Sequence, residues 1–552
     1  MKKAYMLLLL AVIALGFAGM AKATVRTESM GLGSGPEAAL AVDDIDVIWL
    51  FPSRLTEYAN TAEWRYGQLN EPVGTYSDWN VFNDTQTNIK KDNWGGVIDG
   101  KHGALGVIGV YVNRPNTYFT HDLGGNPFLG LSDYNNDGQS FNNDNDMGYG
   151  ATSNNWSDFT DGWYGFNYGH GSTGNTNASA HGTLWGWTIL TPQNKLDLLW
   201  AKDIAGGTLG VQFNYGDRSG DTYDWNGLNS TASSNGTYGA EDYVDTTKAA
   251  SSSTQFGVAV GYGKKDLGPF SKIDAKVSYE AGILDYADQE IYTNNTNTGN
   301  IQYDNWTLKG DGIHDIQIGL LGVKDKDENN QMRVNANADL VTFNTLEIGQ
   351  TDNNYNGSFM DAGDYNRTRK TGYTGTNLSA GTACVHKYAE GKGQLVISLN
   401  VNYRTQKFTE DYQNYNAGAA RWDYLDKAED TFTNITVPLS VGTEQKFTHW
   451  LTGRLGMSAN LAQAYKEKAT TYGTIVNGQY TTSETDKSST DPRTNVKMST
   501  GIGINVGNWT LDLLLDQNFI EDTFLASLRP GRGTLFAGDL GTVGKAQMTV
   551  KF

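Results

Sequence analysis

Oxygen-bearing side chains crowd the stretch DYNNDGQSFNND, residues 133–144, at a spacing that suits a hard divalent cation. Gly138 supplies the sharp turn that a Ca²⁺ loop needs, and Ca²⁺ takes about six to eight oxygens on a flexible loop. The candidate ligands are Asp133, Asn135, Asp137, Gln139 (through its backbone oxygen) and Asp144. Because Asn and Asp are abundant in this chain, a chance match is the alternative. Ca²⁺ is a possible ligand of this loop, and the protein is expected to require no cofactor.

A second set of candidate residues consists of charged side chains that alternate with apolar neighbours along extended segments. In a closed barrel these side chains would point inward, where rings of charge tune ion passage. They could equally neutralise one another and hydrate the interior, and the sequence leaves both readings open. The set comprises Lys272, Asp274, Lys276, Glu280, Arg333, Asp339, Arg404, Arg454, Asp512 and Asp516.

Catalytic chemistry finds little support. The seven histidines are scattered, and neither an HExxH nor a GxSxG motif occurs. We expect that the protein is not an enzyme.

The elements that would position the charged residues are β-strands. In SKIDAKVSYEAGI, Ile273, Val277 and Ile283 share one face while Lys276 and Glu280 share the other. Similar alternation recurs to the end of the chain, and no convincing helical periodicity follows residue 23. The pattern predicts about fourteen to sixteen strands, with an even total for a bacterial barrel.

Two architectures would use such strands. In a sandwich the apolar face packs against a second sheet, whereas in a membrane barrel it meets lipid. Short turns such as Gly507-Asn508 alternate here with long polar insertions, for example 114–193 and 350–392. That asymmetry favours an all-β fold, a transmembrane antiparallel up-and-down β-barrel with long outer loops.

The N-terminus indicates export. Lys2 and Lys3 precede an apolar run, and Ala21-Lys22-Ala23 is a small-x-small cleavage site, so residues 1–23 are read as a cleaved signal peptide. Cys384 is the only cysteine, which excludes an internal disulfide framework. The formal net charge of −19 argues against a nucleic-acid partner.

The last strand resembles the C-terminal assembly signal of bacterial outer-membrane barrels. Met548, Val550 and the terminal Phe552 alternate with polar residues. In that class such a strand is read by the barrel-insertion machinery. The resemblance implies that machinery as a partner, and a final location in the bacterial outer membrane among its lipids and lipopolysaccharide.

The start of the mature chain resembles FadL-type transporters and their porin-V-like relatives. Met30-Gly31-Leu32-Gly33, Asp43-Asp44 and Phe51-Pro52-Ser53 stand where that family has Met-Gly-x-Gly, an Asp pair and Asn-Pro-Ala. Phe51 departs from the family Asn. The resemblance implies that residues 24–45 form a leader or periplasmic plug, with the barrel over 46–552. A flexible leader is the alternative.

The function expected from these patterns is a porin-like channel for passive diffusion of small solutes through a polar lumen. A FadL-type transporter of hydrophobic compounds is one alternative. A structural or adhesive surface protein acting through acidic loops is another. Assembly into an oligomer is possible and is not decided by the sequence.

Overall fold

The computed structural model describes residues 25–32, 38–66, 93–100, 105–112, 194–228, 243–294, 301–351, 365–416, 421–476, 479–490, 496–515 and 543–552. The strands are β1 (Thr61–Tyr66), β2 (Asn93–Asp99), β3 (Val107–Val112), β4 (Asn194–Ile204), β5 (Gly207–Leu228), β6 (Tyr243–Leu267), β7 (Phe270–Asn294), β8 (Ile301–Asp325), β9 (Asn330–Thr351), β10 (Tyr365–Tyr388), β11 (Gly393–Asn416), β12 (Arg421–Lys446), β13 (Leu451–Val476), β14 (Gln479–Thr490), β15 (Lys497–Val506), β16 (Trp509–Leu515) and β17 (Val543–Lys551).

The strands form one antiparallel meander that closes on itself. Apart from β14 and β15, each strand pairs with its neighbours along the chain, and β17 pairs with β1 from Lys551↔Thr61 to Ala546↔Tyr66. Strands β14 and β15 pair with successive stretches of β13, so together they occupy one position of the wall. The result is a closed sixteen-strand barrel, which confirms the predicted fold class.

Many strands are longer than a bilayer requires. Nine consecutive strands, β5 to β13, are 22 to 26 residues long, whereas a tilted strand needs about 9–11 residues to cross a bilayer. Several stretches read as loops are therefore strand, and β10 lies wholly within the predicted insertion 350–392. The distal halves were missed because polar residues occupy both of their faces, as in residues 245–254, DTTKAASSST.

An apolar band surrounds the outside of the barrel. On β7, Val277 is 55% exposed and Ile283 is 54% exposed, and both lie on the face that holds Ile273. The ten residue intervals from Ile273 to Ile283, at about 3.3 Å each and a tilt of about 40°, cover about 25 Å along the membrane normal. This height matches the lipid-facing band of outer-membrane barrels.

The described residues ahead of β1 form short helices and lie inside the barrel. We call residues 25–32 and 38–60 the inner segment. It contains α1 (Val25–Ser29), α2 (Ala38–Ala41), α3 (Val47–Leu50) and a 3₁₀ helix (Pro52–Tyr58). The first strand begins at Thr61 rather than near residue 46. Within the described ranges, no helix has both the length and the apolarity to cross a bilayer.

Candidate functional site

The inner segment packs against the barrel wall through a buried apolar cluster. Trp49 meets Tyr111 of β3 edge to face, with ring centroids 4.8 Å apart. Phe51 and Leu55 are also fully buried in this cluster, together with wall residues such as Leu321 of β8. Side chains of both the inner segment and the wall are removed from water at this contact. The hydrophobic effect therefore holds the segment against the strands β2 to β4 and β8.

The 3₁₀ helix begins over two glycines that face each other across β5 and β6. Gly210 pairs with Gly261, and a Cβ on Gly210 would lie 2.1 Å from the carbonyl carbon of Pro52. A Cβ on Gly261 would lie 3.0 Å from Pro52 Cδ. The glycines therefore make room for the backbone of the inner segment to lie directly on the sheet.

Residue Met30 makes a second close contact, on the other side of the lumen. The paired glycines Gly442 of β12 and Gly456 of β13 approach its backbone. A Cβ on Gly456 would lie 1.9 Å from the Met30 carbonyl oxygen. The inner segment is thus in contact with the wall on both sides, near the rim formed by the short turns.

Ion pairs reinforce this docking. The Arg26 guanidinium donates to Glu444 at 3.0 Å, Glu444 also accepts from Arg454 at 2.7 Å, and Arg454 pairs with Asp512 at 2.7 Å. The chain of charges runs from α1 to β12, β13 and β16. Arg454 and Asp512 are buried. A buried ion pair is stable only when each charge keeps its partner.

A second ionic cluster surrounds the 3₁₀ helix. Arg54 reaches Glu57 at 3.1 Å and Asp274 of β7 at 3.7 Å, and Lys272 pairs with Glu57. Ser53 donates its hydroxyl to Asp274 at 2.9 Å. These contacts join the inner segment to β7.

Two adjacent aspartates of the inner segment differ in acidity. Burial raises the pKa of Asp44 to about 6, helped by the neighbouring negative charge of Asp46 and opposed by Arg26. Burial also acts to raise the pKa of Asp43, but the Arg333 and Arg54 guanidiniums outweigh it and hold that pKa below its ordinary value.

Buried polar contacts also join the inner segment to the closing strands. Arg65 of β1 binds Asp46 at 2.5 Å and Glu63 at 3.2 Å. The side chain of Gln547 on β17 donates to Glu63 at 3.0 Å and accepts from the backbone N–H of Val25 at 3.1 Å. The seam where the barrel closes is therefore tied to the inner segment.

One wall of the lumen, from β4 to β8, carries a row of buried charged and amide groups. Asn214 donates to Glu280 at 3.0 Å across Gly257, whose Cβ would lie 2.6 Å from the Asn214 amide nitrogen. Asp197 lies beside Asn214, and Asp315 beside Glu280, in the strand register. All four side chains are buried.

The wall from β9 to β12 has a different character. It lines a cavity of about 410 Å³ above α2, whose Leu40 and Ala41 contribute to it. Its other lining residues are Asn335, Asn337, Asn377, Ser379, Ser398, Asn400, Asn402, Arg404, Asn434 and Thr436. Carboxamides and hydroxyls dominate, and Arg404 is the only charged side chain among the described lining residues.

The structure brings most of the predicted lumen residues to the interior. Those within the described strands are buried or partly buried, on the faces opposite the apolar band: Lys272, Asp274, Lys276, Glu280, Arg333, Asp339, Arg404, Arg454 and Asp512. Asp274, Arg333 and Arg454 contact inner-segment residues or their direct ionic partners. Lys276 donates to Gln317 at 3.0 Å. Asp516 lies outside the described residues.

The predicted assembly-signal residues lie on the outer face of β17. Val550 pairs in register with Ala62 and Trp509, and Met548 pairs with Trp64 and Leu511. Phe552 is 64% exposed, and its backbone N–H donates to the Asn60 carbonyl at 3.0 Å. Other exposed aromatic side chains near the short-turn rim are Tyr262, Phe447, Trp450 and Trp509.

The proposed Ca²⁺ loop, residues 133–144, lies outside the described residues. In the part of the chain that the structure describes, no group of three or more His, Cys, Asp or Glu side chains is arranged to hold a metal ion.

Sequence reasoning missed the inner-wall amides and the tight glycine contacts. The amides share the alternating pattern of the charged residues, so the same faces would have located them. The glycine contacts join positions far apart in the sequence, such as Met30 and Gly456, and leave no local signal.

A closed sixteen-strand antiparallel barrel with an apolar outer band, exposed aromatic side chains and a polar interior defines a class of protein. The chain has the fold of an outer-membrane β-barrel, as predicted.

No family model matches the chain, and no curated protein matches it. Among solved structures it is similar to the siderophore receptor PiuA from Acinetobacter baumannii, at 9% identity over 90% of this chain and 82% of that one, with a TM-score of 0.24. It is also similar to the ferric yersiniabactin uptake receptor FyuA from Yersinia pestis, at 8% identity over 65% of this chain and 78% of that one, with a TM-score of 0.21. The ferric citrate transporter FecA matches at 10% identity over 58% and 62% of the two chains, with a TM-score of 0.20.

Proposed function

We propose that this protein is an outer-membrane channel through which small polar solutes diffuse passively. The observation that carries the proposal is the 410 Å³ cavity beside the β9 to β12 wall, which is lined mainly by amides and hydroxyls. A polar lining lets a hydrated solute exchange water contacts for wall contacts at little cost. No catalytic step belongs to this function, and Ca²⁺ at residues 133–144 is not needed for it.

The inner segment narrows the short-turn end of the path. Its docking through Trp49, Pro52 and Met30 leaves the solute a route along the wall from β9 to β12, which we call the amide wall, rather than through the centre of the lumen. In this proposal the chain reaches the outer membrane after cleavage of residues 1–23. The barrel-insertion machinery inserts it there through Met548, Val550 and Phe552, among lipid and lipopolysaccharide.

The experiment is solute-driven swelling of liposomes that hold the purified full-length protein. Asn402→Trp places a large side chain in the cavity, and we expect it to slow the uptake of small sugars severalfold. Val401→Trp is the matched control, because Val401 is the next residue on β11 and faces lipid at 47% exposure. Equal swelling rates for the two variants, or the absence of swelling with the unmodified protein, would refute the proposal.

A hatched transporter of hydrophobic compounds is the second candidate, and the inner segment inside the lumen favours it. The same vesicles separate the two functions. Uptake of a long-chain fatty acid without uptake of sugars would favour the hatched transporter. Neither uptake would leave a structural or adhesive role for the outer loops.

A further inference from the structure

The amide wall has a regular layout that a general diffusion path does not need. Strand register places Asn337, Ser379, Asn402 and Thr436 in one row across β9 to β12. The rows are spaced by two residues along each strand, about 7 Å, and the strands by about 4.8 Å. The wall therefore presents a grid of hydrogen-bonding groups about 14 Å across.

The amides of this grid have hydrogen-bonding capacity to spare. Asn337 donates to Ser379 at 3.3 Å, Asn400 to Ser398 at 3.2 Å, and Asn402 to Thr436 at 3.3 Å. Each carboxamide has two N–H donors and one oxygen acceptor, so each keeps a second N–H and its oxygen for a ligand. The Asn434 Oδ1 atom is buried and has no hydrogen-bond partner among the described residues.

The charges near the cavity balance. The row next to the one already described places Asp339 on β9, Asn377 on β10, Arg404 on β11 and Asn434 on β12. It therefore contains one carboxylate and one guanidinium. Arg404 lines the cavity and Asp339 is buried behind the same wall at 5% exposure, so the row has no net charge and gives neither an anionic nor a cationic solute a net electrostatic advantage over a neutral one.

The cavity also has an apolar side, formed by Leu40 and Ala41 of the inner segment. Its volume of about 410 Å³ falls within the range of ligand sites, about 300–1,000 Å³. Many paired donors and acceptors on one side and C–H groups on the other match a molecule with dense hydroxyls and exposed C–H faces.

We propose that the amide wall is a saturable binding site for neutral polyhydroxylated solutes, that is, short uncharged oligosaccharides. This inference rests on the proposed function, because it names the solute class of the same path. The carboxamides bind hydroxyls as both donors and acceptors, and α2 contributes the apolar contact.

The test uses the purified full-length protein with three trisaccharides of different charge. They are neutral maltotriose, anionic trigalacturonate and the cationic glucosamine trisaccharide derived from chitosan. Binding is measured by calorimetry in detergent, and transport by the concentration dependence of liposome uptake. We expect maltotriose to bind and its uptake to saturate, with affinity at least tenfold above that for either charged sugar.

Two variants sharpen the result. Asn337→Leu with Asn402→Leu keeps side-chain size but removes the amides, and we expect at least a tenfold loss of maltotriose affinity. Asn402→Asp keeps the side-chain shape and adds a charge, and we expect that it also weakens maltotriose binding. Val401→Leu, on the lipid side of β11, is the control and should change nothing.

The outcomes separate the two proposals. Uptake that rises linearly with maltotriose concentration, without calorimetric binding, overturns the binding site and leaves the channel function intact. Equal affinity for the three sugars also overturns it. Maltotriose binding in vesicles that show no uptake supports the site and refutes the channel.

Discussion

The contact between Gly210 and Pro52 leads to a quantitative prediction about the inner segment. Carbon atoms in contact normally lie about 3.5 Å or more apart, whereas the Cβ of Gly210→Ala would lie 2.1 Å from a Pro52 backbone carbon. The inner segment would have to move by about 1.4 Å to restore a normal contact. Overpacking of this kind costs about 1–3 kcal/mol, which corresponds to about a 5- to 150-fold rise in the undocked population.

Hydrogen exchange measures that population. We expect Gly210→Ala to speed exchange of the backbone amides of α3 and the 3₁₀ helix by the same factor, with barrel strands such as β7 unchanged. Gly261→Ala is the graded control, because its Cβ would lie 3.0 Å from the Pro52 ring and needs only a small shift. Equal exchange in both variants and the unmodified protein would show that the 3₁₀ helix does not rest on these glycines.

Three further predictions concern charge and assembly. The pKa of Asp44 is raised to about 6, so the docked inner segment binds a proton more tightly than the undocked one. Docking should therefore strengthen as pH falls from 7 to 4. Asp44→Asn should flatten this pH dependence, measured by hydrogen exchange of the inner segment. Arg454→Met leaves Glu444 and Asp512 without their shared partner and should lower the free energy of unfolding in urea by about 3–5 kcal/mol. The loss should be smaller when Asp512→Asn is added. Phe552→Ser should lower the fraction of heat-modifiable, membrane-inserted barrel without changing expression, and an unchanged fraction would count against Phe552 as an assembly signal.

The alternation of apolar and polar residues is enough to predict the barrel. Successive residues of a barrel strand face lipid and lumen in turn, so the alternation appears wherever the outer face meets lipid. The alternation does not predict β10, because its outer face bears the small or polar residues Ala380, Thr382 and Cys384 next to Leu378. Short apolar runs are ambiguous between strand and buried helix. The sequence therefore places VIWL, residues 47–50, in the barrel, whereas the structure shows that these residues form α3.

The residues that hold the inner segment could be found in sequence, but not their partners. Arg454 stood out as a polar residue between apolar neighbours. Its pairing with Glu444, and the link from Glu444 to Arg26 across 418 residues, depends on where α1 lies in the lumen. No periodic pattern carries that information, because the inner segment is not part of the meander.

A single physical rule accounts for the contrast between the two walls of the lumen. A charge that leaves water must find a counter-charge or several donors, and the charged side chains lie where a neighbouring strand or the inner segment supplies one, as for Arg333 with Asp43. A carboxamide has no such need, since it exchanges water for a hydroxyl at nearly equal free energy. Asn337, Asn400 and Asn402 can therefore line a cavity that is wet when empty and still bind when filled. On this reasoning the solute path lies along the amides because most of the buried charges, other than Arg404 in the cavity lining, are already occupied in holding the barrel and the inner segment together.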